Sequence, residues 1–406
     1  MISRRSILKR LSTMPLLGGL VGSAVPLQSA LASTVVAPRN LAKELGIRTF
    51  INAAGTYTAM TGSLMPDEVM ETIQAASKEF MMLDEVQTKV GAKIAAITHA
   101  ESAVVTAGCF SAMTLGLAGV LTGMDQKKVE ALPLLEGTGM KSEVIIQKGH
   151  NVGYSHALTN TGCKIVFVET VEDVEKAINE KTALMWFLNI QSDKGKIMHQ
   201  EWLNLAKKHN IPTMIDIAAD VPPVENLWKF NDMGFDLVCV SGGKAMRGPQ
   251  SAGLLMGKKH LIDAARLSMP PRGSTIGRGM KVNKEEVLGM YVALDRFVKL
   301  DQKKEWQMWE DRVAHISDTV KKVNGVKTET FRPELGNHTP TLRITWEPAK
   351  VNLTAKSLQE NLRNGDPSIE IVGEQNGVSL TTWMLKPGQE KIVASRLKEE
   401  LSKAAV

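Results

Sequence analysis

The stretch from Glu143 to Gly257 constrains the fold of this chain more than any other part. Short, continuously apolar runs alternate there with amphipathic segments. Strands are predicted over Glu143–Gln147, Lys164–Glu169, Ala183–Asn189, Ile211–Ala218 and Asp236–Gly242, and helices over Val171–Glu180, Gln200–Asn210 and Glu225–Gly234. Strands apolar on both sides and separated by helices predict an α/β domain, with a mainly parallel sheet covered on both faces. Ser251–Gly257 reads as one more short strand. Upstream, Val36 to Gly123 is helix-rich. Within it, Ala103 to Ser111 reads as an apolar strand and a glycine turn that open the helix Ser111–Leu121. The stretch from Lys127 to Lys141 has no period and reads as a loop.

From Lys284 to about Lys322 a long helical stretch carries the chain away from the sheet. Beyond Val326 the pattern changes to a strand (Thr339–Glu347), a helix (Leu353–Asn364), strands (Ile369–Trp383) and a last helix (Gln389–Ala404). This is a second, smaller α+β lobe. The organisation expected is a leader over 1–32, an N-terminal segment over 33–75, a large α/β domain over 76–283, and a long helix with the small lobe over 284–406. With 43% apolar and 23% charged residues over 406 positions, neither disorder nor a coiled coil describes the whole chain.

The amino end is a different kind of text. Ser3-Arg4-Arg5-Ser6-Ile7-Leu8-Lys9 precedes a weakly apolar run, Leu11 to Leu31, that ends in Ala30-Leu31-Ala32. A basic start, an apolar middle and a small-residue end describe an export signal, and the paired arginines resemble the twin-arginine signal of bacteria. Cleavage after Ala32 and a periplasmic protein are the expectation; an uncleaved anchor or a chance basic terminus is the alternative. Pro15, Gly18, Gly19, Gly22 and Pro26 would make this run a poor membrane helix. Losing Arg4, Arg5, Lys9 and Arg10 lowers the formal net charge from +6 to +2, which argues against a nucleic-acid partner. Cys109, Cys163 and Cys239 form no CxxC pair, so neither a disulfide framework nor structural zinc is expected.

Three features fall at predicted strand ends, where open parallel sheets collect their ligands. Ala107-Gly108-Cys109 opens a helix whose free N–H groups and positive dipole end suit a phosphate, although a glycine before a helix is commonplace. Asp216 ends an apolar strand, where a poorly solvated carboxylate needs a cationic partner. Lys244 follows Ser241-Gly242-Gly243 at the end of another strand, where a lysine alone could simply reach solvent. Together the three make the set needed for pyridoxal phosphate. Lys244 joins the aldehyde, Asp216 keeps the ring nitrogen protonated, and the Gly108 turn with Ser241 and Gly243 holds the phosphate.

Asn52-Ala53-Ala54-Gly55-Thr56, Glu85-Val86-Gln87 with Gly91, Thr106-Ala107-Gly108, Glu143 to His150, Ser241-Gly242-Gly243-Lys244 with Gly248-Pro249-Gln250, and Ile276 to Val282 resemble the selenocysteine-synthase-like group of pyridoxal-phosphate enzymes. Within that group the match is best to ammonia-lyases of phosphorylated amino-sugar acids. It runs from about Leu41 to Leu300 and fades beyond. The resemblance implies the aspartate-aminotransferase fold (fold type I), Lys244 as the Schiff-base lysine, and a homodimer or larger assembly with sites at subunit interfaces. It also places His150 near the cofactor, stacked on its ring, unless His150 merely caps a strand end at the surface. Gln250 and Arg278 match positions that could approach the cofactor or a neighbouring subunit. Candidates for the rest of the substrate pocket are Tyr57, which could equally be packing, and Arg272 or Arg343 for an α-carboxylate.

The function expected is an exported pyridoxal-phosphate lyase. It would remove a β-substituent from an amino acid or amino-sugar acid and release a 2-oxo acid and ammonia, with Lys244 as the base at Cα. Transaminase, racemase and aldolase remain as rivals that share the same carbanion. A non-catalytic relic that binds an amino compound is the non-enzyme alternative. The chain departs from its group in two ways: the leader suggests export, where sugar phosphates are scarce, and Cys109 and Phe110 replace small residues after the glycine.

Overall fold

The structure, a computed structural model, describes residues 39–406; the leader expected over 1–32 lies outside them. The described residues 39–48 belong to one unit and Thr49–Val406 form another. Within the first, Leu41–Glu44 is a single helical turn, capped where the Asn40 side chain accepts the Lys43 N–H.

The larger unit is built on a seven-stranded sheet. Its strands are β2 (Ser102–Thr106), β3 (Glu143–Gln147), β4 (Lys164–Val168), β5 (Thr182–Leu188), β6 (Thr213–Asp216), β7 (Leu237–Ser241) and β8 (Gly253–Gly257), β1 being a short strand over Ile51–Asn52. The spatial order is β2-β8-β7-β6-β5-β3-β4. β4, β3, β5, β6 and β7 run parallel, while β8 pairs antiparallel with both β7 and β2. The single reversal follows from the tight return of the chain through the Lys244 loop into β8. As the apolar runs require, β5 and β8 are buried along their whole length.

Helices cover both faces, and a separate apolar core lies on each. One face carries the helices Leu83–Ile97, His199–Lys208, Asn226–Met233 and Lys284–Lys299 around Phe187, Trp202 and Phe230. The other carries Gly108–Thr122 and Lys259–Leu267 around Leu115, Trp186 and Met214. The Gly108–Thr122 helix is buried nearly all round, and glycine lets it seat. A Cβ on Gly119 would come within 2.8 Å of the Leu261 carbonyl oxygen on the neighbouring helix.

The small lobe has a four-stranded antiparallel sheet ordered β12-β13-β10-β9, formed by β9 (Val326–Phe331), β10 (Thr341–Trp346), β12 (Val372–Glu374) and β13 (Gly377–Thr381). The helices Gln302–Val320, Ala355–Asn364 and Gln389–Lys403 pack on it. β1 pairs in parallel with β11 (Ile369–Glu370), and Ile51 and Ala53 enter the small-lobe core. The N-terminal segment is thus woven into the far end of the chain.

Several local expectations change. The helical stretch from Lys284 breaks at Leu300, where the Asp301 side chain accepts the Lys304 N–H and starts a second helix. The expected loop from Lys127 contains the end of a short helix, Gln126–Ala131, capped by Asp125. β9 and the helix Lys259–Leu267 were not anticipated.

Candidate active site

Three of the strand-end features meet at one edge of the sheet. Asp216 closes β6 and is almost fully buried. Its Oδ1 accepts the Ala218 N–H at 2.8 Å and the Cys109 thiol at 3.4 Å, so Oδ2 is left to face a donor. Burial pushes the Asp216 carboxyl up, while the Ala218 bond, the Lys244 charge and the Cys109 thiol pull it down. Lys244 is therefore close enough to act on Asp216 through space, as the paired roles require. Lys244 itself lies half-buried in the loop after β7.

The helix start expected to receive a phosphate is formed at Gly108. Gly108 has φ +83, in the left-handed region that favours glycine. It starts the Gly108–Thr122 helix without any side-chain cap from Ala107, which leaves first-turn N–H groups for an anion. The turn is pressed against β8: a Cβ on Gly253 would meet the Gly108 carbonyl carbon at 2.5 Å and the Cys109 nitrogen at 2.7 Å. Ser241 pairs with Gly253 in the β7–β8 ladder, so the helix start and the Lys244 loop share one scaffold.

The N-terminal segment covers that loop. Asn52 folds a tight turn in which its side chain accepts the Ala54 and Gly55 N–H groups and donates to the Gly55 carbonyl. From there the chain crosses from the small lobe to the lysine loop. The Ser63 N–H and hydroxyl both donate to the Gly243 carbonyl, and Gln250 Nε2 donates to the Thr58 carbonyl at 3.3 Å. Thr56, Thr58, Ser241, Lys244, Gln250 and Ser251 line the resulting cleft of about 290 Å3. A second cleft, on the small-lobe side, is lined by Tyr57, Ile190, Gly336, Asn337, Thr381 and Trp383 among others.

His150 is wholly buried rather than a surface cap. Its Nδ1 accepts the Leu188 N–H at 3.3 Å, and Leu188 is the β5 partner of Asp216. The ring meets Phe187 edge-on at 4.5 Å. Burial brings the imidazole down to about 4, so it is neutral at physiological pH. Its Nε2 has no partner.

Other expected residues lie elsewhere. Arg272 is drawn to Asp84, at 3.3 and 3.4 Å. Arg343 is held by Glu329 and Glu374, at 2.8 Å each, over the Phe331 ring. Neither guanidinium is free to take a carboxylate in this conformation. Arg278 is exposed and lines neither cleft. Tyr57 and Gln250 do line the clefts.

Sequence reasoning missed two residues. Arg247, three positions past Lys244, has φ +55 and donates to the Trp383 carbonyl from a largely buried guanidinium. Asp220, just past β6, is buried with both carboxyl oxygens unpartnered. In the sequence Arg247 sits in an ordinary glycine-proline loop and Asp220 in an ordinary turn. Only tertiary burial distinguishes them.

The donor set fits pyridoxal phosphate. An acid with a free oxygen, a nearby lysine and an uncapped helix start stand together at the strand ends, where open α/β sheets bind their ligands. The fold and this site define a fold type I pyridoxal-phosphate enzyme. A family model described as Aminotransferase class-V matches residues 167–278. D-glucosaminate-6-phosphate ammonia lyase of Salmonella typhimurium (strain 14028s / SGSC 2262) is 26% identical, over 90% of this chain and 99% of its own length. A solved structure of D-glucosaminate-6-phosphate ammonia-lyase superposes with a TM-score of 0.80 at 26% identity, covering 90% of this chain and 99% of the other. L-seryl-tRNA(Sec) selenium transferase of Alkaliphilus oremlandii (strain OhILAs) is 24% identical, over 88% of this chain and 82% of its own. Over nearly its whole length the chain is thus similar to enzymes of the selenocysteine-synthase-like group.

Proposed function

We propose that this protein is an ammonia-lyase that removes a β-substituent from a 2-amino acid or 2-amino-sugar acid, leaving a 2-oxo acid and ammonia. The observation that carries the reading is the electrostatic pairing of Asp216 and Lys244 beside an uncapped helix start. Similarity over nearly the whole chain to an ammonia lyase of an amino-sugar acid supports it.

Bound pyridoxal phosphate supplies an electron sink for a bond broken at the substrate Cα. The protein's own residues do the rest. Asp216 would face the ring nitrogen, the first-turn N–H groups from Gly108 onward with Ser241 and Gly243 would hold the phosphate, and Lys244 would take the Cα proton. We assign the α-carboxylate to Arg247, whose guanidinium donates to the carbonyl of Trp383, a residue that lines the second cleft. Burial lowers the Arg247 pKa, so an anion beside it repays lost hydration. His150, neutral and held by the N–H of Leu188, the strand partner of Asp216, would support the ring end of the site.

We further propose that residues 1–32 direct twin-arginine export to the periplasm, and that the enzyme works as a homo-oligomer. Among the described residues, no helix is long and apolar enough to cross a membrane. Ammonia release from D- and L-amino acids and 2-amino-2-deoxyaldonic acids, without an added amino acceptor, tests the reaction class. A requirement for a 2-oxo acid acceptor would make the protein a transaminase. Periplasmic recovery that fails when Arg4 and Arg5 become lysine tests the export signal.

A further inference from the structure

Asp220 is an ionisable group to which the reading above gives no task. It lies four residues past Asp216, in the turn that the chain makes on leaving β6, and is 3% exposed. Neither carboxyl oxygen accepts a hydrogen bond, and burying a carboxyl with no donor is costly. The structure holds it there firmly all the same. The Asp220 carbonyl accepts Asn226 Nδ2 at 2.6 Å, and the neighbouring Ala219 carbonyl accepts the Asn337 N–H at 2.6 Å. That second bond closes the small-lobe loop around Gly336 over the end of β6, beside the second cleft.

Four groups act on Asp220. The Asn189 side chain and the Gly336 N–H lean toward it and favour its charged form, yet neither closes a hydrogen bond. Lys244 favours the charge, and Asp216 opposes it. Burial outweighs them all and lifts the carboxyl to about 7. Asp216 differs, because two donors fix its Oδ1. Burial raises both carboxyls, but donors hold Oδ1 of Asp216 while neither oxygen of Asp220 is held. Two carboxyls near one lysine, one anchored by donors and one not, suit different tasks.

We propose that Asp220 is a second catalytic residue of this site, the acid that protonates the group leaving the substrate's β-carbon. The inference rests on the elimination chemistry proposed above. In the step, Lys244 takes the Cα proton and the electron pair of that bond becomes the new Cα–Cβ double bond. The Cβ–O bond breaks with its electrons on oxygen. That oxygen takes the Asp220 proton and leaves as water. Addition of one water then releases ammonia and the 2-oxo acid, while the Lys244 ammonium returns a proton to the Asp220 carboxylate through solvent. No external oxidant or reductant enters.

The test is a leaving-group comparison with the holoenzyme, wild type against Asp220→Asn. The probes are 2-amino-3-hydroxy acids and their 3-chloro counterparts. Serine and β-chloroalanine in both hands are the smallest pair, and a 2-amino-2-deoxyhexonate extends the hydroxy series. Chloride departs without a proton. The variant is expected to lose about 100-fold or more in kcat on the hydroxy acid, to keep near wild-type turnover of the chloro acid, and to bind the cofactor with unchanged visible absorbance. Asp220→Ala gives a second reading, because added formate should restore turnover of the hydroxy acid alone. Equal losses on both leaving groups, or no loss on the hydroxy acid, overturn the role of Asp220 and leave the lyase standing. Failure of the wild type to release ammonia from any pair defeats the elimination reading and the acid with it.

Discussion

The thiol of Cys109 donates to Oδ1 of Asp216 across 3.4 Å, tying the start of the buried helix to the end of β6. The contact joins the two ends of the proposed cofactor site, the turn assigned to the phosphate and the acid assigned to the ring nitrogen. Burial and the Asp216 charge push the thiol well above its ordinary value. Cys109 is thus a donor and a poor nucleophile. Cys163 and Cys239 are buried and raised as well. Native protein should therefore resist iodoacetamide at all three thiols, and denatured protein should label at all three, as read by intact mass. Rapid native labelling of Cys109 would contradict this packing.

Gly253 tests whether the helix start is a seat for the phosphate. The Cβ of Gly253→Ala would press on the Gly108 carbonyl carbon and the Cys109 nitrogen, and these are backbone atoms that cannot rotate away. Overpacking of this kind costs about 1–3 kcal/mol. Weaker retention of pyridoxal phosphate on dialysis, by about tenfold, is expected alongside a lower melting temperature. Lower stability with full cofactor retention would separate the turn from the phosphate.

The arginines divide cleanly. Arg343→Gln removes a guanidinium already satisfied by Glu329 and Glu374, so KM for the amino acid should hardly change. Arg247→Gln removes the buried cation beside the Trp383 carbonyl, and KM is expected to rise about tenfold or more. Steady-state kinetics on both variants decide the matter, and the reverse pattern would return the carboxylate to Arg343.

His150 and Asp220 bias stability in opposite directions with pH. The folded-state pKa of His150 is lowered from 6.5 to about 4. Its contribution is whole above pH 6.5 and is lost as pH falls through about 4, because the unfolded chain takes up the proton first. That is on the order of 3 kcal/mol for a fully buried ring. His150→Asn keeps an acceptor for the Leu188 N–H, and its deficit in melting temperature should shrink between pH 7 and pH 4. The folded-state pKa of Asp220 is raised from 3.8 to about 7. Its contribution is whole below pH 3.8 and is lost as pH rises through 7. Asp220→Asn should therefore gain on the wild type over that range, and thermal melts at stepped pH read both trends.

How far the sequence reveals this protein follows from where the information sits. Asp216, Lys244 and Gly108 were legible because each combines a residue type with a strand end, and strand ends show as breaks in apolar runs. Arg343 was placed correctly on its strand, yet its partners were hidden. Glu329 lies directly across from it on β9, a polar strand whose alternation is too weak to read without its neighbours. Arg272 is captured by Asp84 from far away in the chain, which no local pattern announces. Asp220 escaped for the same reason. An aspartate in a turn looks solvated until the Gly336 loop closes over it. The weaving of β1 into the small lobe likewise depends on a pairing across most of the chain.

The central claim is that Lys244 carries the cofactor. Purified protein incubated with pyridoxal phosphate, reduced with borohydride and digested gives a direct reading by peptide mass spectrometry. The account requires the pyridoxyl mass on the peptide containing Lys244, and its loss, together with the yellow colour, in Lys244→Ala. A label on another lysine, or a wild-type protein that stays colourless and unlabelled with excess cofactor, would contradict it.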